Sequence, residues 1–139
     1  METVTESIEL DASPEAVREC IREDVPRFVE ASGFDSVDVD GDFITVSRSI
    51  GLATFELTLE VVESDAVLAL DQTEGIFDRM WTEYRVEPSD GGSRVTATTE
   101  FTLGRVLGPV LDAAVIATQR RAEFEDQFAY LAAQLSVEA

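Results

Sequence analysis

The stretch Gly104 to Leu135, GRVLGPVLDAAVIATQRRAEFEDQFAYLAAQL, constrains this chain most. It reads as one long helix. Val110, Ala114, Ala117, Phe124, Phe128, Leu131 and Leu135 recur at spacings of three and four, which draws one apolar stripe along it. Everything before it reads as short strands and turns. A helix with one apolar side needs a surface to lie on, and a sheet with one apolar face needs a cover. The two requirements meet if the strands form a curved sheet that the helix closes over an apolar interior.

Residues 2–10 alternate, with Val4, Ile8 and Leu10 on one parity and Glu6 as the exception. Ser13 then supplies an N-cap, Pro14 suits the first helical position, and Glu15 favours the positive end of the helix dipole. The helix runs to about Glu23, burying Val17, Cys20 and Ile21, and Pro26 interrupts it. A second short helix, Val25 to Ala31, ends before Gly33. From there the period is two. Strands are expected around Val37 and Val39, at Phe43 to Ile50, Thr54 to Val62, Val67 to Thr73, Asp78 to Glu87 and Arg94 to Leu103. Turns fall at Asp40-Gly41, Gly51, Ser64-Asp65 and Ser89-Asp90-Gly91-Gly92. Short loops make neighbouring strands antiparallel. The expectation is an α+β chain forming one domain over residues 1–139, with about seven strands, two short helices after the first, and the long helix last.

Composition removes several functions. There is no His and a single Cys, so Ser–His and Cys–His nucleophile pairs and His/Cys zinc sites are excluded. No cofactor or metal is expected. The Asp38–Asp42 run resembles a calcium loop, but the loop's twelfth position would be Ser47 rather than Glu, and a hairpin turn explains it better. Twenty-nine acidic residues against ten arginines give a net charge of −19. That charge repels itself, and at about 1 M salt, where the screening length is about 3 Å, the repulsion fades. We therefore expect a salt-adapted organism. Clustered basic residues for phosphate contacts are missing apart from Arg120-Arg121, so nucleic acid is not an expected partner. No apolar run reaches the ~18 residues of a membrane span. The N-terminus has no basic start followed by an apolar block, which points to the cytoplasm.

The order of elements, the capped Asp-Ala-Ser-Pro-Glu-Ala-Val start at Asp11–Val17, the strands Trp81–Pro88 and Ser93–Leu103, and the glycine-bearing turn into the last helix resemble the START-like (SRPBCC) superfamily. That group includes polyketide cyclases, lipid-transfer domains and pollen-allergen-like proteins. The resemblance covers nearly the whole chain and implies the helix-grip fold, with a cavity between the concave sheet and the long helix. Its markers are those of a fold, and none singles out a reaction.

Strand parity directs Phe55, Leu57, Leu59, Leu68, Leu70, Gln72, Met80, Thr82, Tyr84, Ala97, Thr99 and Phe101 inward. From the helix, Leu111, Ala114, Val115 and Thr118 join them. Gln72, Met80, Thr82, Tyr84, Thr99, Phe101, Leu111, Ala114 and Thr118 are the candidate ligand-binding residues. An apolar wall with a few polar anchors is what a small-molecule pocket needs, and it also describes an ordinary filled core. Tyr84 is the leading polar candidate, a phenol that can orient a carbonyl or act as a weak acid. Arg48 shares the inward parity of Ile44 and Val46, and buried it needs a carboxylate partner or an acidic ligand. The favoured function is binding or carriage of a hydrophobic small molecule such as a lipid, isoprenoid or polycyclic compound. Glycines 104 and 108 would let the helix start move to admit it. One alternative is a cyclase/dehydratase-like enzyme, which lacks an obvious inward carboxylate for acid–base work. The other is a protein-interaction module with a filled cavity, using an exposed patch of Ile76, Phe77 and Trp81 that would also support a homodimer.

Overall fold

The computed structural model describes residues 1–50, 52–103 and 113–138, the side chains of Ile50, Ala53, Val137 and Glu138 excepted. Its elements in chain order are β1 (Glu2–Leu10), α1 (Pro14–Glu23), α2 (Val25–Glu30), β2 (Ser36–Asp40), β3 (Phe43–Ile50), β4 (Ala53–Val61), β5 (Leu68–Glu74), β6 (Phe77–Ser89), β7 (Gly92–Leu103) and α3 (Ala113–Glu138). The seven strands form one antiparallel sheet in the order β1-β7-β6-β5-β4-β3-β2. Strands β2 to β7 are a meander, and β1 closes on the far side of β7. This is the helix-grip fold.

The local chemistry expected at the turns is present. The Ser13 Oγ accepts the Ala16 N–H at 3.2 Å, and Pro14 follows it. Asp24 caps α2 in the same way, accepting from the Arg27 N–H at 3.2 Å. The β6–β7 hairpin turns through Asp90-Gly91, with Gly91 at φ +81, a conformation that favours glycine. The next residue is glycine for a different reason: a Cβ on Gly92 would lie 2.1 Å from the Leu10 carbonyl oxygen. Close approach of backbone there lets the end of β1 dock on β7. The Asp38–Asp42 run forms the end of β2 and its tight turn into β3.

Alternation along β6 holds except at its start. The register against β7 slips between Phe77 and Arg79, a bulge that leaves Asp78 and Arg79 both outward and turns Phe77 inward. Phe77 is therefore buried, its ring 5.5 Å from that of Phe101 in an edge-on contact. The exposed patch expected at Ile76, Phe77 and Trp81 does not form. Trp81 is half-buried on the outer face, where its indole N–H donates to Glu83.

Helix α3 lies against β1, β7, α1 and α2. Its buried side carries Ile116, Arg120, Glu123, Phe124, Gln127, Phe128 and Leu131. Phe124, Phe128 and Leu131 are buried as the apolar stripe predicts, and the difference lies in the first half of the helix and in the polar residues. Ala114 and Thr118 are exposed, Val115 is 41% exposed, and the Thr118 hydroxyl donates back to the Ala114 carbonyl within the helix. Glu6, the exception on β1, faces Arg121 of α3 across 3.4 Å. Leu111, Val110 and the glycines at 104 and 108 lie outside the described residues.

Candidate functional site

Beneath α3, between it and the concave face of β3, β4 and β6, lies a recess. Phe34, Val46, Phe55, Leu57, Ile76, Phe77, Met80 and Ile116 form its apolar walls. Arg48, Gln119, Arg120 and Glu123 form the remaining side. Its empty space is about 430 Å³ with the solvent at its mouth included, of which only about 40 Å³ admits a water-sized sphere. A second, deeper recess shares Phe34, Leu57, Met80 and Arg120 with the first and continues to Thr82, Tyr84 and Gln127. Met80 and Arg120 thus stand in the wall between two narrow spaces.

The charged side is a buried cluster. Arg120 and Glu123 are 8% and 3% exposed. One turn apart on α3, they pair directly, Arg120 Nη1 against Glu123 Oε1. Arg48 reaches over from β3 and brings its Nε to 2.9 Å from Glu123 Oε2. That N–H is off-line, so the contact is ionic rather than a hydrogen bond, and Arg48 Nε and Arg120 Nε both lack a hydrogen-bond acceptor. Arg48 also donates to the Ser32 carbonyl at 2.9 Å and stacks over Phe34. Arg120 stacks over Phe124. Two guanidiniums therefore face one carboxylate, in a place where unbalanced charge is costly.

Arg120 continues into the sheet. Its Nη2 donates to the Thr82 hydroxyl at 3.0 Å, and the Thr82 and Thr99 hydroxyls are 3.0 Å apart. Because Thr99 gives its proton to the Trp81 carbonyl, Thr82 must be the donor to Thr99. Below this chain the Tyr84 hydroxyl donates to Gln127 Oε1 at 2.7 Å, and Gln127 Nε2 donates to the Phe28 carbonyl at 3.2 Å. Tyr84 is fully buried against Phe28 and Phe124. Burial pushes its phenol up to about 12, so it keeps its proton at neutral pH.

Of the residues expected at the site, Met80, Thr82 and Tyr84 line one or both recesses. Thr99 stands behind Thr82 and Phe101 behind Phe77, both fully buried. Gln72 is engaged elsewhere. Its amide donates to the Phe77 carbonyl and accepts the Phe77 N–H, which braces the β5–β6 turn. Ala114 and Thr118 face solvent and do not reach either recess. The inward carboxylate that the sequence did not reveal is Glu123. Ile116, Arg120, Glu123, Gln127 and Leu131 follow one another at spacings of three and four, so helical periodicity places them on one side. An apolar-stripe search finds Leu131 and its neighbours Phe124 and Phe128 on that side but passes over the polar members, Arg120, Glu123 and Gln127.

Residues 1–136 match the family model described as polyketide cyclase/dehydrase and lipid transport. No curated protein matches the sequence significantly. Among solved structures, the chain is similar to TTHA0849 from Thermus thermophilus, with 17% identity, a TM-score of 0.76 and 99% of each chain covered. A START superfamily protein from Mycobacterium smegmatis gives a TM-score of 0.73 at 9% identity, also over 99% of each chain. Ginseng major latex-like protein 151 from Panax ginseng gives 0.62 at 14% identity, over 93% of this chain and 96% of its own. At such identities the likeness is one of fold.

Proposed function

This chain belongs to the polyketide cyclase/dehydrase and lipid-transport family, within the START-like superfamily, and from that premise we propose that it holds a hydrophobic small molecule between its sheet and α3. The observation that carries the reading is the recess itself, with eight apolar side chains on its walls and polar groups confined to one side. Its free volume is small, so a ligand must part the walls. Met80 and Arg120 line both recesses; Arg120 is held by Glu123, Thr82 and Phe124, whereas Met80 is an unbranched apolar side chain with many rotamers. Swinging Met80 aside would join the two spaces and enlarge the chamber that a ligand would enter. Carriage in solution fits the described chain, in which no helix is long and apolar enough to cross a membrane.

A second reading, a cyclase/dehydratase-like enzyme, is favoured by the position of Glu123 on the recess wall. Its two oxygens are already engaged by Arg48, Arg120 and Gln119. A substrate proton would have to compete with those donors, which is why binding is preferred over acid–base chemistry.

Native mass spectrometry after non-denaturing purification tests the reading. Protein mixed with medium-chain alcohols, fatty acids and isoprenoids should give a one-to-one adduct, and Ile116→Trp, which fills the recess, should abolish it. Absence of any adduct from these compounds, with recess-filling making no difference, would mean a closed core and no carrier.

A further inference from the structure

We infer that the occupant of this recess is an amphiphilic monoanion whose acid group is received by Arg120 and Arg48 beside Glu123. The inference rests on the binding function proposed above and narrows its ligand. Three observations converge. Arg48 and Arg120 both line the apolar recess, so their charge borders the space a hydrophobic chain would fill. Among the described residues Glu123 is the one carboxylate in direct ion-pair contact with either, which leaves these three side chains one positive charge in excess, with Asp126 the next acidic group, beyond Gly33. Arg120 Nε is a buried N–H donor without a hydrogen-bond acceptor, and Arg48 Nε, although 2.9 Å from Glu123 Oε2, is turned off the line of a hydrogen bond, in a chain where most buried donors find an acceptor. An acid group entering from the recess would supply the missing charge and the missing acceptors together. A neutral alcohol or hydrocarbon would supply at most an acceptor.

The cluster is costly to assemble by chance in this sequence. The chain has only ten basic residues against twenty-nine acidic ones, and its surface is strongly negative. Two of its ten arginines are nevertheless turned inward at one point. An anion approaching the outer surface meets repulsion. The affinity must come from the local pair of guanidiniums, which charge-assisted hydrogen bonds make directional.

Decanoate and 1-decanol share a chain and differ in charge, so they separate the acid group from the tail. Each is titrated into the ¹⁵N-labelled full chain at neutral pH, following the arginine Nε–H resonances together with the backbone. Decanoate should bind about tenfold to a hundredfold more tightly than decanol, the range of a charge-assisted hydrogen bond, and should move the Arg48 and Arg120 Nε–H signals. Arg48→Met leaves the Arg120–Glu123 pair balanced. It should bring the two ligands to within about threefold of each other with decanol affinity unchanged. Glu123→Gln raises the excess charge and should tighten decanoate alone. Arg94→Gln, on the outer surface beside Glu9, should change neither. Equal binding of acid and alcohol by the wild type, or an undiminished preference in Arg48→Met, would overturn the anion while leaving the hydrophobic site standing. Failure of both ligands to bind would remove the site itself. If chloride moves the Nε–H signals and decanoate holds no advantage over decanol, the cluster takes a free inorganic anion, and the amphiphile is overturned.

Discussion

Removing the charge of Glu123 should destabilise the fold more than any other single carboxylate change at the described positions. The residue is 3% exposed and holds two guanidiniums, one of them only 8% exposed. Breaking a buried ion pair by deleting one partner costs about 3–5 kcal/mol, because the survivor stays buried and unpaired. Arg48 is the more accessible of the two, with 18% of its side chain exposed, and can relax towards water. Arg120 cannot do so easily, because Thr82 and Phe124 hold it. Glu123→Gln should therefore cost about 3–4 kcal/mol. With a urea m-value of about 2 kcal/mol per molar, the unfolding midpoint should fall by about 2 M. The companion variant is Arg120→Met, and the pair of changes completes a cycle. Once Arg120 is gone, losing the carboxylate should matter less, with a coupling of about 2–3 kcal/mol. Urea unfolding at fixed salt measures all four proteins. A cost below about 1 kcal/mol for Glu123→Gln, with additive changes in the cycle, would refute the buried cluster and with it the geometry of the site.

Tyr84→Phe strands the Gln127 oxygen and should cost about 1–3 kcal/mol, read as a lower urea midpoint. Its pH signature has a fixed sign. Burial raises the Tyr84 phenol to about 12, so the folded chain holds that proton more tightly than the unfolded one. The contribution is complete below pH ~10 and is lost as pH rises towards ~12, so the gap between wild type and Tyr84→Phe should narrow across that window and be flat below it. Gly92→Ala should lower the melting temperature sharply, because the neighbour its Cβ meets at 2.1 Å is the Leu10 backbone, whereas Gly41→Ala meets no atom and suffers only its positive φ. With a net charge of −19, the urea midpoint should rise as salt goes from about 0.1 M towards about 2 M, and a midpoint insensitive to salt would argue against adaptation of the surface to salt.

The sheet was legible because its local signals agree with one another. Alternation in Phe55–Val61 and Arg94–Leu103, the Ser13-Pro14 start of α1 and the Asp90-Gly91 turn each point to one element, and the structure contains each. Two features were hidden. The bulge at Phe77–Arg79 reverses parity for a single residue, which converts an expected surface aromatic into core. Nothing in a period-two pattern marks where a ladder slips. The second is the inner side of α3. The apolar stripe correctly marks Phe124, Phe128 and Leu131 as buried, but it also selects Ala114, which is exposed, and passes over the buried Arg120, Glu123 and Gln127. Polar residues occupy that inner side because each finds a partner on the sheet or on α2: Arg120 on Thr82, Glu123 on Arg48, and Gln127 on Tyr84 and Phe28. Those partners are distant in sequence, and a single chain read alone does not announce them. The inward parity of Arg48 was the one available clue, since a buried guanidinium demands an acid across the cavity.

The most direct measurement is a crystal structure of the protein with a decanoate that carries bromine on its last carbon. The anomalous signal of bromine locates the tail without ambiguity. Binding of the amphiphile in the recess places the bromine among Phe55, Leu57 and Ile116, with Met80 displaced and the carboxylate within hydrogen-bond distance of Arg120 or Arg48. A bromine found only on the outer surface, with Met80 and Arg120 where they stand now and the recess still closed, would contradict it.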